Sequence, residues 1–546
     1  MSYCLKQNLL PELMSNTYNI YKVQTEKLVA LSEKLKNVGL VEQKTIESGN
    51  FKLTFYFSEQ VEGNELWWWE TYRAFFKDGL NEPKNIFYFG LLLCVDIKDP
   101  KTVYAVSLGK SHFYLSKFIQ PDFGISLAVR MANENAILLK KSRYFAGIKR
   151  QDVASYASFQ VDNYEPGESV EHLKVKASNT AVWGERNIIF ADSIQMDVNK
   201  SPEEMVDIFN LIGASIGEKE IIRLPKLEKV EGELIVELDK LLFASLKNAE
   251  GKVKIDEFAT YGVAICFTFR DYDYRLSAKP DGETHAVRAK LGNSFDVGNI
   301  RDFLAANPKI IDINTVRVQF SSDDGGSFTK ALKDVLDLPV AHGNSNYFLR
   351  NGEWYKFNQT FIDYLKRSLK TIETFFGPEL NEADFKAWKA EKERAIAANE
   401  EVDDKLTYRE SYFNKKLCAD LGYRLLDRQL ALIRSIQEKR KNYKVEIADL
   451  YKDGELISVK ISEASHELIY NIEQSKDAVE LLARKEIEFE DELKVAALWF
   501  VFESDVKEIA DVNSIQFLLA IESWRKLVAS FNLTPRIYMS RHTITP

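Results

Sequence analysis

Cysteine is scarce in this chain of 546 residues: Cys4, Cys94, Cys266 and Cys418 are the only four, and they stand far apart. No Cys-x-x-Cys pair or cysteine–histidine cluster occurs, which argues against a structural zinc site and fits a reducing compartment, the cytoplasm. Six histidines are scattered, with no His-Glu-x-x-His arrangement. Glycine (25) and proline (13) are too few for a collagen-like or proline-rich segment. Long hydrophobic runs are missing as well. The longest, Ile86–Ile97 (IFYFGLLLCVDI), falls short of the ~20 residues that a membrane-spanning helix needs and reads as a buried strand. The N-terminus, MSYCLKQNLLPELMSN, lacks the basic-then-apolar order of a signal peptide, so no membrane partner is expected. Excess positive charge is also lacking: 73 Lys and Arg stand against 82 Asp and Glu, a net −9. That excludes a general basic coat for nucleic acid and leaves room for a local basic channel.

What is present is an ordinary globular mixture, 45% hydrophobic and 28% charged, with aromatics at 12%. The expected fold is α/β (α+β) and multidomain: an N-terminal mixed α/β domain over 1–200, a middle α/β domain over 201–345, and a C-terminal domain over 346–546. Helical spacing marks 22–40, and alternation marks a strand at Phe51–Phe57. VYAVSLGKSHFYL (103–115) reads as a hairpin turning at Gly109-Lys110, and Phe123–Ala132 reads as a strand. A basic stretch follows, with Lys140, Lys141, Arg143, Lys149 and Arg150. Ser201-Pro202-Glu203-Glu204 is a capping box opening a helix to about Ile216. Leu234–Leu246 is helical, and the aromatic, arginine-bearing CFTFRDYDYRL (266–276) reads as a strand. Asn351-Gly352 signals a hairpin over 347–357, and helices are expected over 360–376 and 382–398.

The chemistry is expected from 407–502. That segment reads as helix (408–421), strand (423–427), strand (443–451), strand (455–461), helix (465–482) and strand (495–502). Asp453-Gly454 favours a two-residue type I′ turn. Such a turn pairs Lys452 with Glu455 and, by extension, Asp449 with Ser458 and Ile447 with Lys460. Alternation then puts Ala448, Leu450, Ile457, Val459 and Ile461 on an apolar face and Asp449, Ser458 and Lys460 on the other. A hard divalent cation, Mg2+ or Mn2+, needs carboxylate oxygens, for which Asp449 and Glu410 are the candidates, with Asp427 as an alternative source of the second charge. A lysine nearby, Lys460, orients water or offsets developing charge. Arg428, Lys439, Arg440, Lys441 and Lys444 are candidate phosphate contacts just before the Asp449 strand.

The α-β-β-β-α-β order resembles the core of the PD-(D/E)XK, or restriction-endonuclease-like, nucleases. That resemblance implies carboxylates and a lysine presented from a central hairpin, with Gln474 in a position where such nucleases carry a glutamine. The expected (D/E)-x-K is Ser458-Val459-Lys460 here. Further stretches are Tyr104–Gly109, Asp122–Ile125, Trp183 with Asp192-Ser193, Gly352–Tyr355, Glu410–Asn414, Leu425–Arg428, Val445–Leu450 and Ile457–Lys460. Through them the chain resembles a sporadically distributed family of uncharacterised bacterial proteins of about this length, found among mobile-element and phage-defence genes. Where that family has a cysteine before the aspartate and a histidine before Val-Lys, this chain has Ala448 and Ser458. The resemblances together imply an antiphage protein acting on nucleic acid, DNA foremost, by metal-dependent phosphodiester hydrolysis. A phage protein or a second copy of the chain are further partners to expect. The alternative is a non-catalytic nucleic-acid- or protein-binding sensor or scaffold subunit that retains a nuclease-like fold.

Overall fold

In the computed structural model, the described residues are 16–544 apart from 60–62, 64, 67, 147–149, 161–162, 249–252, 256–271, 323–326, 344, 403–404, 427–429, 435–441, 487–488, 490 and 513. The architecture is mixed α+β with several antiparallel sheets. Contacts divide it into two units: residues up to 143 with 150–164 and 169–224, and residues 144–149 and 165–168 with 225 onward.

The first unit is built on β1 (Asn16–Lys22), α1 (Leu28–Asn37), β2 (Leu40–Ser48), β3 (Phe51–Ser58), β4 (Gly90–Asp96), β5 (Val103–Leu108), α2 (Phe123–Met131), β6 (Ala132–Tyr144), β7 (Arg150–Ser155), β8 (Glu168–Ala177), β9 (Ile188–Phe190), β10 (Ile194–Val198) and α3 (Met205–Ile216). The sheet order is β2-β3-β4-β5-β1-β10-β9-β8-β6-β7. The longest apolar run supplies β4, buried from Gly90 to Cys94. Ser201 and Glu204 exchange the two bonds of a capping box ahead of α3.

Three expectations change here. Residues 103–115 do not form a hairpin, because both edges of β5 are taken, by β4 and β1. After Gly109 the chain turns instead into one helical turn at His112–Leu115, with Ser111 Oγ accepting from the Leu108 amide. Phe123–Met131 is a helix, α2. It is buried almost all round, which erases the amphipathic period that would reveal it in sequence. A Cβ on Gly124 would collide with the backbone at Ala191 and Ser193, so glycine lets this helix approach that loop. The basic stretch at 140–143 is structural. Lys140 is 2% exposed and donates to the Asn163 carbonyl, and Arg143 pairs with buried Glu171 at 2.9 Å.

The second unit begins with β11 (Leu227–Lys229), α4 (Leu234–Lys247), β12 (Lys254–Ile255), β13 (Tyr272–Ala278), β14 (Val287–Gly292), α5 (Val297–Ala306), β15 (Arg317–Ser322), β16 (Ser327–Ala331), β17 (Leu336–His342), β18 (Ser345–Arg350) and β19 (Glu353–Phe357). These form the sheets β11-β19-β18-β17-β12 and β14-β13-β15-β16. Asn351 and Gly352 have φ of 48° and 77°, as the hairpin turn requires. Most of the 266–276 strand lies outside the described residues. Its end is β13, where Tyr274 packs between Phe295 and Phe320.

The rest comprises α6 (Gln359–Leu369), β20 (Glu373–Phe376), β21 (Leu380–Asn381), α7 (Glu382–Ala397), α8 (Arg409–Leu421), β22 (Arg424–Leu425), β23 (Leu430–Arg434), β24 (Asn442–Glu446), β25 (Leu450–Lys452), β26 (Glu455–Ile461), α9 (Ser465–Ala483), β27 (Val495–Phe502), α10 (Ile515–Ser530) and β28 (Thr534–Thr543). The helix expected over 360–376 stops at Leu369, because Glu373–Phe376 pairs in parallel with β28. The main sheet runs β20-β28-β27-β26-β25-β22, with β21 also on β28. β26, β27 and β28 are mutually parallel and joined through α9 and α10. Parallel strands are covered on both faces, which is why β27 reads as unbroken VAALWFVF. On one face Leu450, Ile457, Val459, Ala497 and Trp499 pack with Phe413 and Leu417 of α8. On the other, Leu498 and Phe500 pack with Leu468 and Ile472 of α9 and with Phe517 and Trp524 of α10.

Trp499 is held by a bond from its Nε1 to Ser540 Oγ at 2.9 Å, and a Cβ on Gly377 would strike both side chains. Gly377→Ala should therefore overpack this sheet and cost about 1–3 kcal/mol. A urea-unfolding midpoint equal to wild type would show that Trp499 can yield.

Candidate functional site

The turn at Asp453-Gly454 has φ of 47° and 85°, and it fixes the register Lys452↔Glu455, Tyr451↔Leu456 and Leu450↔Ile457. The ladder stops at Leu450. The strand expected over 443–451 is interrupted at 447–449, and among the described residues β24 pairs with β23 alone. Asp449 marks the break. Its amide donates to the Ile457 carbonyl at 3.0 Å, and its carbonyl accepts from the Leu426 amide at 2.8 Å. Its Oδ2 accepts from the Val459 amide at 2.7 Å. The side chain thus does the work of the next main-chain carbonyl in the ladder, which anchors the carboxylate against β26.

α8 supplies the second wall. Glu410 and Asn414 lie one turn apart, hence on one face of the helix. Asn414 Nδ2 lies 3.4 Å from Asp449 Oδ1, and Glu410 Oε1 lies 3.2 Å from Lys460 Nζ. Lys460 stands at the carboxyl end of β26, where ligands gather in open α/β sheets. It also approaches Glu467, in the first turn of α9, at 3.9 Å. One face of α8 thus meets Asp449 through Asn414 and Lys460 through Glu410, and the single solvated face expected for Asp449, Ser458 and Lys460 is not formed. Leu456, two residues before Ser458 and so on its face of β26, packs with Leu481 and Leu482 of α9, and Ser458 is only 7% exposed. Asp449 meets α8, on the opposite side. Lys460 joins the two sides by reaching to both helices.

Gln474 is half-buried, two turns beyond Glu467 on α9. Asp427, Arg428, Lys439, Arg440 and Lys441 lie outside the described residues. Lys444 lies in β24, where only the backbone is described.

Several residues of the site escaped the sequence reading. Ser411 and Asn414 are 2% and 1% exposed, and Ser411 Oγ and Asn414 Oδ1 have no hydrogen-bond partner. Their signal was the spacing 410–411–414 on a helix already assigned. Arg409, next to Glu410, grips Glu382 with two bonds of 2.9 and 3.0 Å. Glu382 also takes His542 Nε2 at 2.9 Å, and His542 Nδ1 lies 3.4 Å from Glu503. This cluster joins the start of α7, the start of α8 and the ends of β27 and β28, positions separated by up to 160 residues. No local pattern reveals such a cluster.

Among the described residues, no group of three or more His, Cys, Asp and Glu side chains is placed to hold a metal ion. The Asp449 and Glu410 carboxylates, with the unpaired Asn414 Oδ1 and Ser411 Oγ on the same helix as Glu410, are oxygen ligands of the kind a hard dication takes. Also among the described residues, no helix is long and apolar enough to cross a membrane.

A family model matches residues 18–530, so the chain belongs to this family of unknown function, DUF6119. No curated protein matches it.

The Arg409 guanidinium, helped by His542 and opposed by burial, holds the Glu382 carboxyl down to about 2. A depressed carboxylate pKa contributes stability above the ordinary carboxylate range, and that contribution is lost as pH falls toward the folded value. Glu382→Gln should therefore unfold more easily than wild type at neutral pH, by on the order of 3 kcal/mol. The gap should close as pH falls toward about 2. A gap in urea midpoint that stays constant with pH would refute this origin.

Proposed function

We propose that the C-terminal part of this protein is a restriction-endonuclease-like domain that hydrolyses phosphodiesters in nucleic acid, DNA foremost, with Mg2+ or Mn2+, in bacterial defence against phage. The observation that carries this reading is that one face of α8 meets both Asp449, through Asn414, and Lys460, through Glu410. It is supported by the chain order α8, β22, β25, β26, α9, β27 and by the sheet order β22-β25-β26-β27-β28.

Asp449 and Glu410 would hold the cation, which when bound acidifies water and offsets charge on the phosphate. Asp449 is well suited to this, because its tie to the Val459 amide fixes its orientation before any ligand arrives. Lys460 lies between two carboxylates. With Glu410 engaged by a cation, Glu467 would keep the ammonium near β26, where it would orient the attacking water and stabilise the transition state. Ser458 contributes at most a hydroxyl or water-mediated contact. Gln474 would contact the substrate or the lysine. Arg428, Lys439, Arg440, Lys441 and Lys444 would supply phosphate contacts.

One observation favours a second reading. Position 458 is a buried, neutral serine, and Glu410 is neutralised by Lys460, as expected of a domain that binds nucleic acid or protein without cutting. The two readings part on a cleavage assay with DNA and RNA in Mg2+ and Mn2+. Asp449→Ala should abolish both cation binding and cleavage. Lys460→Ala should retain cation binding and lose turnover by roughly a hundredfold or more. A wild type that binds nucleic acid in a salt-dependent way and never cuts would leave the second reading standing. Replacing Lys439, Arg440 and Lys441 together by alanine should weaken that binding and flatten its salt dependence by up to three phosphate contacts. Unchanged affinity across salt would remove them from the interface.

A further inference from the structure

The site has one acid fewer than the pattern it resembles, because position 458 is serine and the face of β26 that carries it packs against α9. We propose that Asn414 supplies the missing ligand, its side-chain amide oxygen joining Asp449 and Glu410 on the divalent cation. This rests on the functional reading of the same site given above.

Asn414 is 1% exposed, yet its Oδ1 has no hydrogen-bond partner. Its Nδ2 makes only a long contact, 3.4 Å, to Asp449 Oδ1. Native interiors rarely leave a buried amide oxygen unpaired, and those that persist call for an absent partner. Ser411 Oγ, on the preceding turn of α8, is buried and unpaired as well. Two unpartnered oxygens therefore lie one turn apart on α8, the helix that meets Asp449 and Lys460. Side-chain amide oxygens are ordinary ligands of hard cations. Oδ1 belongs to the same planar carboxamide whose nitrogen lies 3.4 Å from Asp449 Oδ1, which places an unpaired oxygen next to that carboxylate. The loss of charge relative to an acid at 458 predicts a weaker site than a three-carboxylate one.

The test uses the full-length protein and Mn2+ as the probe, read by calorimetric titration and by the melting temperature with and without the ion. Asn414→Leu keeps the number and branching of side-chain heavy atoms and removes the oxygen. It should weaken Mn2+ binding roughly tenfold or more while the ion-free melting temperature changes little. Asn414→Asp should do the reverse. Like charges beside Asp449 should lower the ion-free melting temperature, and Mn2+ should then bind more tightly than in wild type and raise it further. Asn414 serving only to hold Asp449 in place would give an Asn414→Asp protein that is destabilised without tighter binding, and that result overturns the assignment. Asp449→Ala separates the two levels. If it abolishes Mn2+ binding while both Asn414 variants bind like wild type, the functional reading survives and the role of Asn414 does not. If wild type binds no Mn2+, or Asp449→Ala binds it equally well, the functional reading falls and takes Asn414 with it. Should Asn414→Leu fail to fold, Asn414→Asp alone decides.

Discussion

The bond from the Val459 amide to Asp449 Oδ2 is the constraint on which the C-terminal architecture turns. Where the ladder between β25 and β26 ends, an N–H of β26 would otherwise be buried without a partner, at a cost comparable to a lost hydrogen bond. Asp449 meets that need with a carboxylate rather than a carbonyl. One oxygen is committed to the fold. The other is held against α8, where Asn414 and, a turn away, Glu410 stand. Structural and chemical demands therefore fall on one residue, and the same bond sets the position of the acid relative to Lys460.

The surrounding charges are arranged so that few are buried without an opposite. Glu382, His542, Arg409 and Glu503 form one cluster beside α8 and the ends of β27 and β28. At the other end of β26, Glu455 accepts from Tyr538 and pairs with Arg536, which also binds Glu373. Burial raises the Glu455 carboxyl above its ordinary range while Arg536 pulls the other way. Clusters of this kind pin strand ends and helix starts together. Breaking one partner is costly because it strands the other in a poorly hydrated interior.

The elements that were legible in sequence share a strong local cause. The Asp453-Gly454 and Asn351-Gly352 turns need left-handed residues and contain them. The helices α8 and α9 and the strands β26 and β27 follow from apolar spacing, and α3 from a capping box. The readings that changed share a different cause. α2 is buried nearly all round and so lacks a period. Residues after β5 cannot pair because both its edges are occupied. Glu373–Phe376 is drawn into a strand by β28, more than 150 residues away in the chain.

The sequence by itself determined the helices α8 and α9, the strands β26 and β27, the Asp453-Gly454 turn with its register from Lys452↔Glu455 to Leu450↔Ile457, and the lysine on β26. These depend on backbone preferences and on alternation, which act between near neighbours. Only the tertiary structure decided that Asp449 would end a ladder, that Lys460 would lie between Glu410 and Glu467, and that Asn414 would be buried beside them. Those outcomes depend on which helix covers which face of the sheet, and that is set by burying apolar surface from segments far apart in the chain.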